Sequence, residues 1–106
     1  MTTLIGEIDQ LHAHICQALA DPKRILILYA LSEKSQTVSD LSNDYSIPQS
    51  TVSRHLKALR DRGLVTSERE GTSNIYVLSD KRVIDALDIM RDLLRDLITQ
   101  NAELIS

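Results

Sequence analysis

The sequence predicts a mainly α-helical protein that carries one small β-hairpin. Four segments with helical apolar spacing precede residue 63, two short β-prone segments follow, and a last helical stripe fills the C-terminal part. With 106 residues and a single cysteine, the chain has room for one core, and no intrachain disulfide can form. We therefore interpret residues 1–106 as a single domain.

The first two helices are indicated by apolar spacing and by a capping pair. Alternating four- and three-residue spacing predicts a helix over residues 3–20, with its apolar stripe at Leu4, Ile8, Leu11, Ile15 and Ala18. Asp21 then suits an N-cap, and Pro22 suits the first position of a second helix. This helix is expected to run through residue 31, with the inward side chains Ile25, Leu28 and Leu31.

The third and fourth helices are separated by a proline break. Thr37, with Asp40 three residues later, predicts the capped start of a third helix that ends near Tyr45. The residue before Pro48 is biased away from the helical region, so a new helix begins there. Gly63 supplies a C-terminal stop for this fourth helix. Its predicted buried stripe consists of Val52, Leu56 and Leu59.

A hairpin and a long helix complete the chain. The two β-prone segments are residues 64–69 and 74–78, with a turn over residues 70–73. Asp80 lies at the predicted start of the last helix, whose apolar stripe is Val83, Leu87, Met90, Leu94 and Leu97. The order α-α-α-α-β-β-α, with a tight turn between the third and fourth helices, is typical of a winged helix-turn-helix.

Charge is distributed unevenly along the chain. The formal net charge is −3 overall, but residues 46–76 carry +2 while the segments before and after carry −3 and −2. Phosphate binding depends on local positive charge, so this middle third can bind nucleic acid even though the whole chain is acidic. The alternative interpretation is a solvated helix face of mixed charge.

The fourth helix and the hairpin tip provide the candidate DNA contacts. A recognition helix directs its N-terminal residues at base edges, where glutamine pairs with adenine and arginine with guanine. A wing reaches the neighbouring groove or backbone with small polar residues and a cation. The predicted DNA-binding residues are Gln49, Ser50, Thr51, Ser53, Arg54, His55, Lys57, Arg69, Thr72 and Ser73.

Two other classes of protein compete with this interpretation. An enzyme is disfavoured because the sequence has no glycine-rich phosphate loop, no paired metal motif and no Ser/His/Asp arrangement in a plausible context. The second alternative is a winged-helix module that binds only protein. The hydroxyls, amide and cations of the fourth helix argue against that module, because protein binding alone does not require them.

The chain resembles the ArsR/SmtB family of bacterial transcriptional repressors in three runs: ALADPKRI at 18–25, PQSTVSRHLKAL at 48–59 and GLV at 63–65. The resemblance implies a homodimer that binds a palindromic operator in double-stranded DNA and releases it on sensing a metal ion or another signal. It also implies that the first and last helices form the dimer interface. The apolar residues expected there are Leu4, Ile8, Leu11, Ile15, Leu87, Met90, Leu94 and Leu97.

The two metal sites known in this family are altered here. Arsenic repressors carry a Cys-Val-Cys-Asp-Leu pattern at the start of the third helix, and the matching residues 37–41 read TVSDL, without either thiolate. Hydroxyls are poor ligands for soft metals. The zinc site of the last helix matches Asp80, Arg82, Leu93 and Asp96, where both imidazoles are missing. We therefore expect no resident metal or other cofactor.

One cysteine leaves a possible sensor on the first helix. His12 and Cys16 are four residues apart and share a face, so they can bind a soft metal if a partner subunit adds ligands. The alternative is that Cys16 is a small buried hydrophobic residue. The identity of any effector is not indicated. Low cysteine usage, the lack of an export segment and the lack of a long apolar run lead us to expect a cytoplasmic protein without membrane contact.

Overall fold

The helices and the hairpin follow one another in the predicted order. The computed structural model describes the backbone of residues 3–105 and the side chains of residues 3–101. Its elements are α1 (Leu4–Leu11), a π-helical turn (His12–Cys16), α2 (Pro22–Glu33), α3 (Val38–Tyr45), α4 (Gln49–Asp61), β1 (Val65–Glu70), β2 (Ser73–Leu78) and α5 (Arg82–Ile105). The prediction of a mainly helical winged helix-turn-helix with one hairpin is confirmed.

The first helix is the element that departs from its prediction. Instead of one helix over residues 3–20, α1 ends at Leu11 and the backbone then widens into the π-helical turn, where the Gln17 amide donates to the His12 carbonyl at 3.0 Å. Arg24 of α2 donates from Nε to the Ala18 carbonyl at 2.6 Å and from Nη2 to the Gln17 carbonyl at 3.0 Å. The end of the N-terminal segment thus finds donors for its free carbonyls on α2.

One aliphatic core lies among α2, α3, α4, the hairpin and the start of α5. The predicted inward stripe of α4 is fully buried, as are Leu28 of α2 and Leu41 of α3. Leu87 is only 5% exposed and packs in this core. The prediction that Leu87 belongs to the dimer interface is therefore wrong, because the first turns of α5 pack on the body of their own chain.

The turn between α3 and α4 is held by short-range hydrogen bonds. The predicted cap is confirmed: Thr37 Oγ1 accepts from the Asp40 amide, and the Asp40 carboxylate accepts from the Thr37 amide, both at 3.1 Å. After α3 the chain reverses at Ser46, whose φ is +55°. Ser42 Oγ donates to the Ile47 carbonyl at 2.6 Å. These bonds fix the direction in which α4 leaves the turn.

The hairpin is tighter than predicted and is tied to the helices. Glu70 pairs with Ser73, which leaves a two-residue turn at Gly71, where φ is +62°, and Thr72. Tyr76 of β2 exchanges two backbone hydrogen bonds with Gln36, at 2.8 and 3.2 Å. The loop that precedes α3 therefore anchors the wing.

The start of α5 is attached to α2 by polar contacts. The Tyr29 hydroxyl donates to Asp88 at 2.6 Å, and the Arg91 guanidinium lies 5.0 Å from the centre of the Tyr29 ring. Beyond this contact every described side chain of α5, through residue 101, is exposed. None of the described helices is long and apolar enough to cross a membrane.

Candidate nucleic-acid interface

Helix α4 separates its side chains into two chemically different faces. Val52, Leu56 and Leu59 have no exposed surface and fix the helix to the core. The exposed side chains of the outer face are those of Gln49, Ser50, Ser53, Arg54 and Lys57. This face thus combines short hydrogen-bonding groups near the helix start with two cations behind them.

The N-terminus of α4 is open to an external acceptor. Its N-cap is Pro48, which has no side-chain acceptor to offer, and the Pro48 carbonyl accepts only later amides, from Thr51 and Val52, both at 3.0 Å. The Gln49 and Ser50 amides at the exposed helix start therefore receive no cap from Pro48. Such helix starts attract phosphate oxygens.

Two contacts orient side chains on the outer face of α4. Gln49 Nε2 donates to Ser39 Oγ at the start of α3, at 3.4 Å. Lys57 Nζ contacts the Asp61 carboxylate at 2.9 Å, and this hydrogen bond lowers the pKa of Asp61. Among the described side chains Arg54 has no ion-pair partner, so its guanidinium can pair with a base or a phosphate without first breaking a salt bridge.

The wing presents the second group of predicted contacts. Arg69, Thr72 and Ser73 are all exposed at the tip of the hairpin. Arg60 of α4 is 3.4 Å from Ser67 Oγ of β1, so the hairpin is linked to the end of the recognition helix. The wing is therefore attached to α4 by this side-chain contact as well as by the chain itself.

Two of the α4 residues predicted to bind DNA do not lie on the exposed outer face of this helix. Thr51 is half-buried, and His55 is only 4% exposed. The His55 ring points toward the start of α2, where its Nε2 lies 3.7 Å from Asp21 Oδ2. The prediction that His55 contacts DNA is therefore corrected. The sequence held a signal for this, because at 100° per residue His55 lies about 40° from Leu59 on the helical wheel.

A broad apolar surface covers α1 and the outer part of α5. No residue of α1 is buried. Three side chains of α5 that the predicted stripe omitted, Ile89, Leu93 and Ile98, are at least 56% exposed, and so is Ile5 of α1, at 76%. The exposed apolar face consists of Leu4, Ile5, Ile8, Leu11, Ile15, Ile89, Met90, Leu93, Leu94, Leu97 and Ile98.

Cys16 lies on an open groove rather than in the core. The groove has a volume of about 620 Å³ and runs between the N-terminal segment and α5, lined by apolar side chains that include Leu11, Ile15 and Met90. The cysteine is a free thiol and is exposed, as is His12. Cys16 is therefore not buried within its own chain, and the alternative that it packs in the dimer interface stays a prediction. No three metal-binding side chains cluster within the described part of the chain.

Two of the acids that remain from the family metal sites, Asp40 and Asp80, are already engaged by protein donors. The Asp40 carboxylate closes the cap of α3 with Thr37. Asp80 is held by Arg82, whose Nη2 lies 2.7 Å and whose Nε lies 3.1 Å from it. The side-chain hydrogen bond from Arg82, followed by the bond from its backbone amide, lowers the pKa of Asp80 to about 2. These donor sets do not fit a metal ion.

Comparisons with known proteins agree with this architecture. Residues 21–67 match the family model described as "Bacterial regulatory protein, arsR family". An uncharacterized HTH-type transcriptional regulator of Methanocaldococcus jannaschii, MJ1325, is 37% identical over 82 residues, which cover 76% of this chain and 92% of the relative. The arsenical resistance operon repressor of Bacillus subtilis is 44% identical over 68 residues, 63% of this chain and 65% of its own length.

A solved structure extends the likeness to almost the whole chain. It is the solution structure of the homodimeric winged helix-turn-helix DNA-binding domain Mb0332 from Mycobacterium bovis, a possible ArsR-family transcriptional regulator. Its TM-score is 0.77 at 26% identity, and the match covers 91% of this chain and 88% of that domain. The likeness therefore extends well beyond residues 21–67.

Proposed function

Because this chain belongs to the ArsR family of bacterial regulatory proteins, we propose that it represses transcription as a homodimer bound to a palindromic operator. The family is one of DNA-binding transcriptional regulators, not of enzymes. The alternative of a module that binds only protein is disfavoured for the same reason. The proposal adds the assembly, the DNA geometry and the residues that make the contacts.

The observation that carries the proposal is the outer face of α4. Its hydroxyl and amide groups lie beside an uncapped helix start, and Arg54 is free of ion pairs among the described residues. In a major groove this arrangement places Gln49 and Ser50 against base edges or phosphates and Arg54 within reach of a guanine. Arg69 of the wing then neutralises backbone phosphate beside the helix.

The exposed apolar face supports a two-fold dimer. So many exposed aliphatic side chains on two helices are unusual on a monomer and mark an interaction site. Most small oligomers are two-fold symmetric, and a two-fold axis through α1 and α5 presents two copies of α4 to the same side of a duplex. Successive major grooves are about 34 Å apart, which is the spacing that such a dimer needs.

We propose that the effector is a signal other than zinc or arsenite, because the two family sites that bind these ions are altered here. Asp40 and Asp80 serve the α3 cap and the Arg82 ion pair, both imidazoles are missing, and hydroxyls replace the thiolates. If a soft metal or an oxidant acts directly, the thiol of Cys16 is the group through which it acts, with His12 as a second ligand. The exposure of both side chains is consistent with that route.

The proposal is tested by removing one cation from each of two surfaces. A duplex is first selected by the wild-type chain from a random-sequence library, and its dissociation constant is measured by fluorescence anisotropy. Arg54→Ala should weaken binding by about 1–3 kcal/mol and relax the preference at one base position. Arg95→Ala is the matched control, because Arg95 is an exposed arginine of α5 that pairs with Asp92.

The two variants are expected to differ in their affinity for the selected duplex. The control should bind the selected duplex as the wild type does. If Arg54→Ala keeps both the affinity and the sequence preference of the wild type, the outer face of α4 is not the DNA-reading surface. An equal loss in both variants would show a general charge effect and would likewise refute the assignment.

A further inference from the structure

The side chain of His55 joins the recognition helix to the start of α2. It is 4% exposed and lies on the inner side of α4, behind the residues that face outward. Its Nε2 atom is 3.7 Å from Asp21 Oδ2. Asp21 is the N-cap of α2 and accepts a 2.8 Å hydrogen bond from the Lys23 amide. The imidazole therefore packs against the group that fixes where α2 begins.

The surroundings of the ring define its protonation state. Its Nδ1 atom is buried and has no hydrogen-bond partner among the described residues. A neutral imidazole carries one N–H donor and one bare acceptor nitrogen. With a carboxylate on the Nε2 side, the favourable arrangement puts the proton on Nε2 and leaves Nδ1 bare. A second proton would have to enter at Nδ1, where the described residues offer no acceptor.

The charged groups around the ring have opposite effects on its protonation. Asp21 favours the charged form of His55, while Lys23 and Arg24 at the start of α2 and Arg54 on α4 itself disfavour it. Burial is the largest influence, and it lowers the pKa of His55 below its ordinary value near 6.5. The neutral ring is thus the form that fits the packed arrangement of α2 and α4.

We propose that His55 is a positioning residue for DNA binding, whose neutral ring holds α4 in its reading position and whose protonation loosens that contact and weakens DNA binding. The proposal rests on α4 being the DNA-contacting helix. Arg24 extends the connection, since its guanidinium binds the Gln17 and Ala18 carbonyls at the end of the N-terminal segment. A shift of the α2 start relative to α4 therefore also moves the segment that carries the proposed dimer face.

The sign of the pH effect follows from the depressed pKa. A base that is harder to protonate in the packed state takes up its proton when that packing loosens, so acid favours the loosened state. DNA affinity should be at its plateau above about pH 7 and fall as the pH is lowered through the range below 6.5. This is opposite to the usual strengthening of DNA binding when exposed histidines become cationic.

The test measures the affinity of the full chain for the selected duplex at about pH 7.5 and about pH 5.5. Wild type and the control His14→Gln, which alters an exposed histidine, should both lose about tenfold in affinity at the lower pH. His55→Ala should bind about tenfold more weakly at the higher pH. His55→Gln, whose amide Nε2 can donate toward Asp21, should recover most of that loss and show no weakening at the lower pH.

Asp21→Asn gives a second variant that keeps an N-cap and does not alter the core. Without the carboxylate, the packed state holds a proton on His55 even less well. By the same linkage, the loss of affinity at about pH 5.5 should therefore be larger than in the wild type. Nitrogen-15 NMR of the free protein should show neutral His55 protonated at Nε2. A neutral ring protonated at Nδ1, or an unchanged pH response in His55→Gln, would overturn the proposal. The NMR measurement does not involve DNA, so it separates this failure from a wrong assignment of the α4 contacts.

Discussion

Replacing Leu94 tests whether the outer part of α5 is a dimer face. Leu94 is 54% exposed in the isolated chain. Full burial of a leucine side chain is worth about 1.5–3 kcal/mol. If a partner covers the part of Leu94 that is still exposed, the gain is therefore roughly 1 kcal/mol per side chain. A two-fold interface contains each residue twice. Leu94→Ala should therefore cost the dimer about 2 kcal/mol, or roughly a thirtyfold higher dissociation constant.

A charge at the same position should have a larger effect. Leu94→Glu loses the same apolar contact and also places a carboxylate among the exposed aliphatic side chains of the proposed interface. A buried and unpaired charge is costly, so the dimer should be lost at micromolar concentrations. The selected duplex should then bind weakly, because one chain contacts only half of a palindromic site.

Sedimentation equilibrium of wild type and variants measures the dissociation constant directly. The matched control is Leu26→Ala, because Leu26 is 39% exposed but lies on α2, which does not belong to the proposed dimer face. It should leave the dimer constant unchanged. The reasoning fails if the wild type sediments as a monomer while binding the duplex tightly, or if Leu94→Ala and Leu26→Ala shift the constant equally.

Two further predictions concern the wing and the thiol. Arg69→Ala should weaken binding to all duplexes alike and reduce the slope of affinity against salt by about one; a change in sequence preference would instead place Arg69 on a base edge. Zinc should not release the protein from DNA, and Cys16→Ser should keep DNA affinity while losing any release by cadmium, mercury or peroxide. If the wild type ignores all three agents, or the variant responds as the wild type does, Cys16 has no sensing role.

The elements that the sequence predicts well are those fixed by local chemistry. The capping box at Thr37 and Asp40, the proline start of α4 and the glycine after it act within a few residues, and all three lie where predicted. The widened turn after Leu11 could not be predicted in this way. The apolar spacing of the helix continues through this turn, so the pattern carries no sign of the widening.

The candidate site was predicted less completely, because the polarity of a residue does not show whether its side chain points outward or into the core. His55 is polar, and it directly follows Arg54, which faces the proposed DNA side. Its environment is set by Asp21, thirty-four positions away, which no local pattern reveals. The helical wheel would have separated His55 from Arg54, since consecutive residues point about 100° apart.

Helix α5 shows why the spacing of apolar residues in a sequence cannot distinguish a dimer interface from a core. From Val83 to Ile98, the apolar residues are never interrupted by more than two polar residues in a row. Leu87 is buried in its own chain, whereas Leu94, two turns later, is half-exposed. Both environments select the same aliphatic side chains at the same spacing, because a dimer face of this kind is a core completed by a second chain. The boundary lies at the Tyr29–Asp88 contact, where the body of the protomer ends. Beyond that point every described side chain of the helix is exposed, and a second chain can bury its apolar stripe.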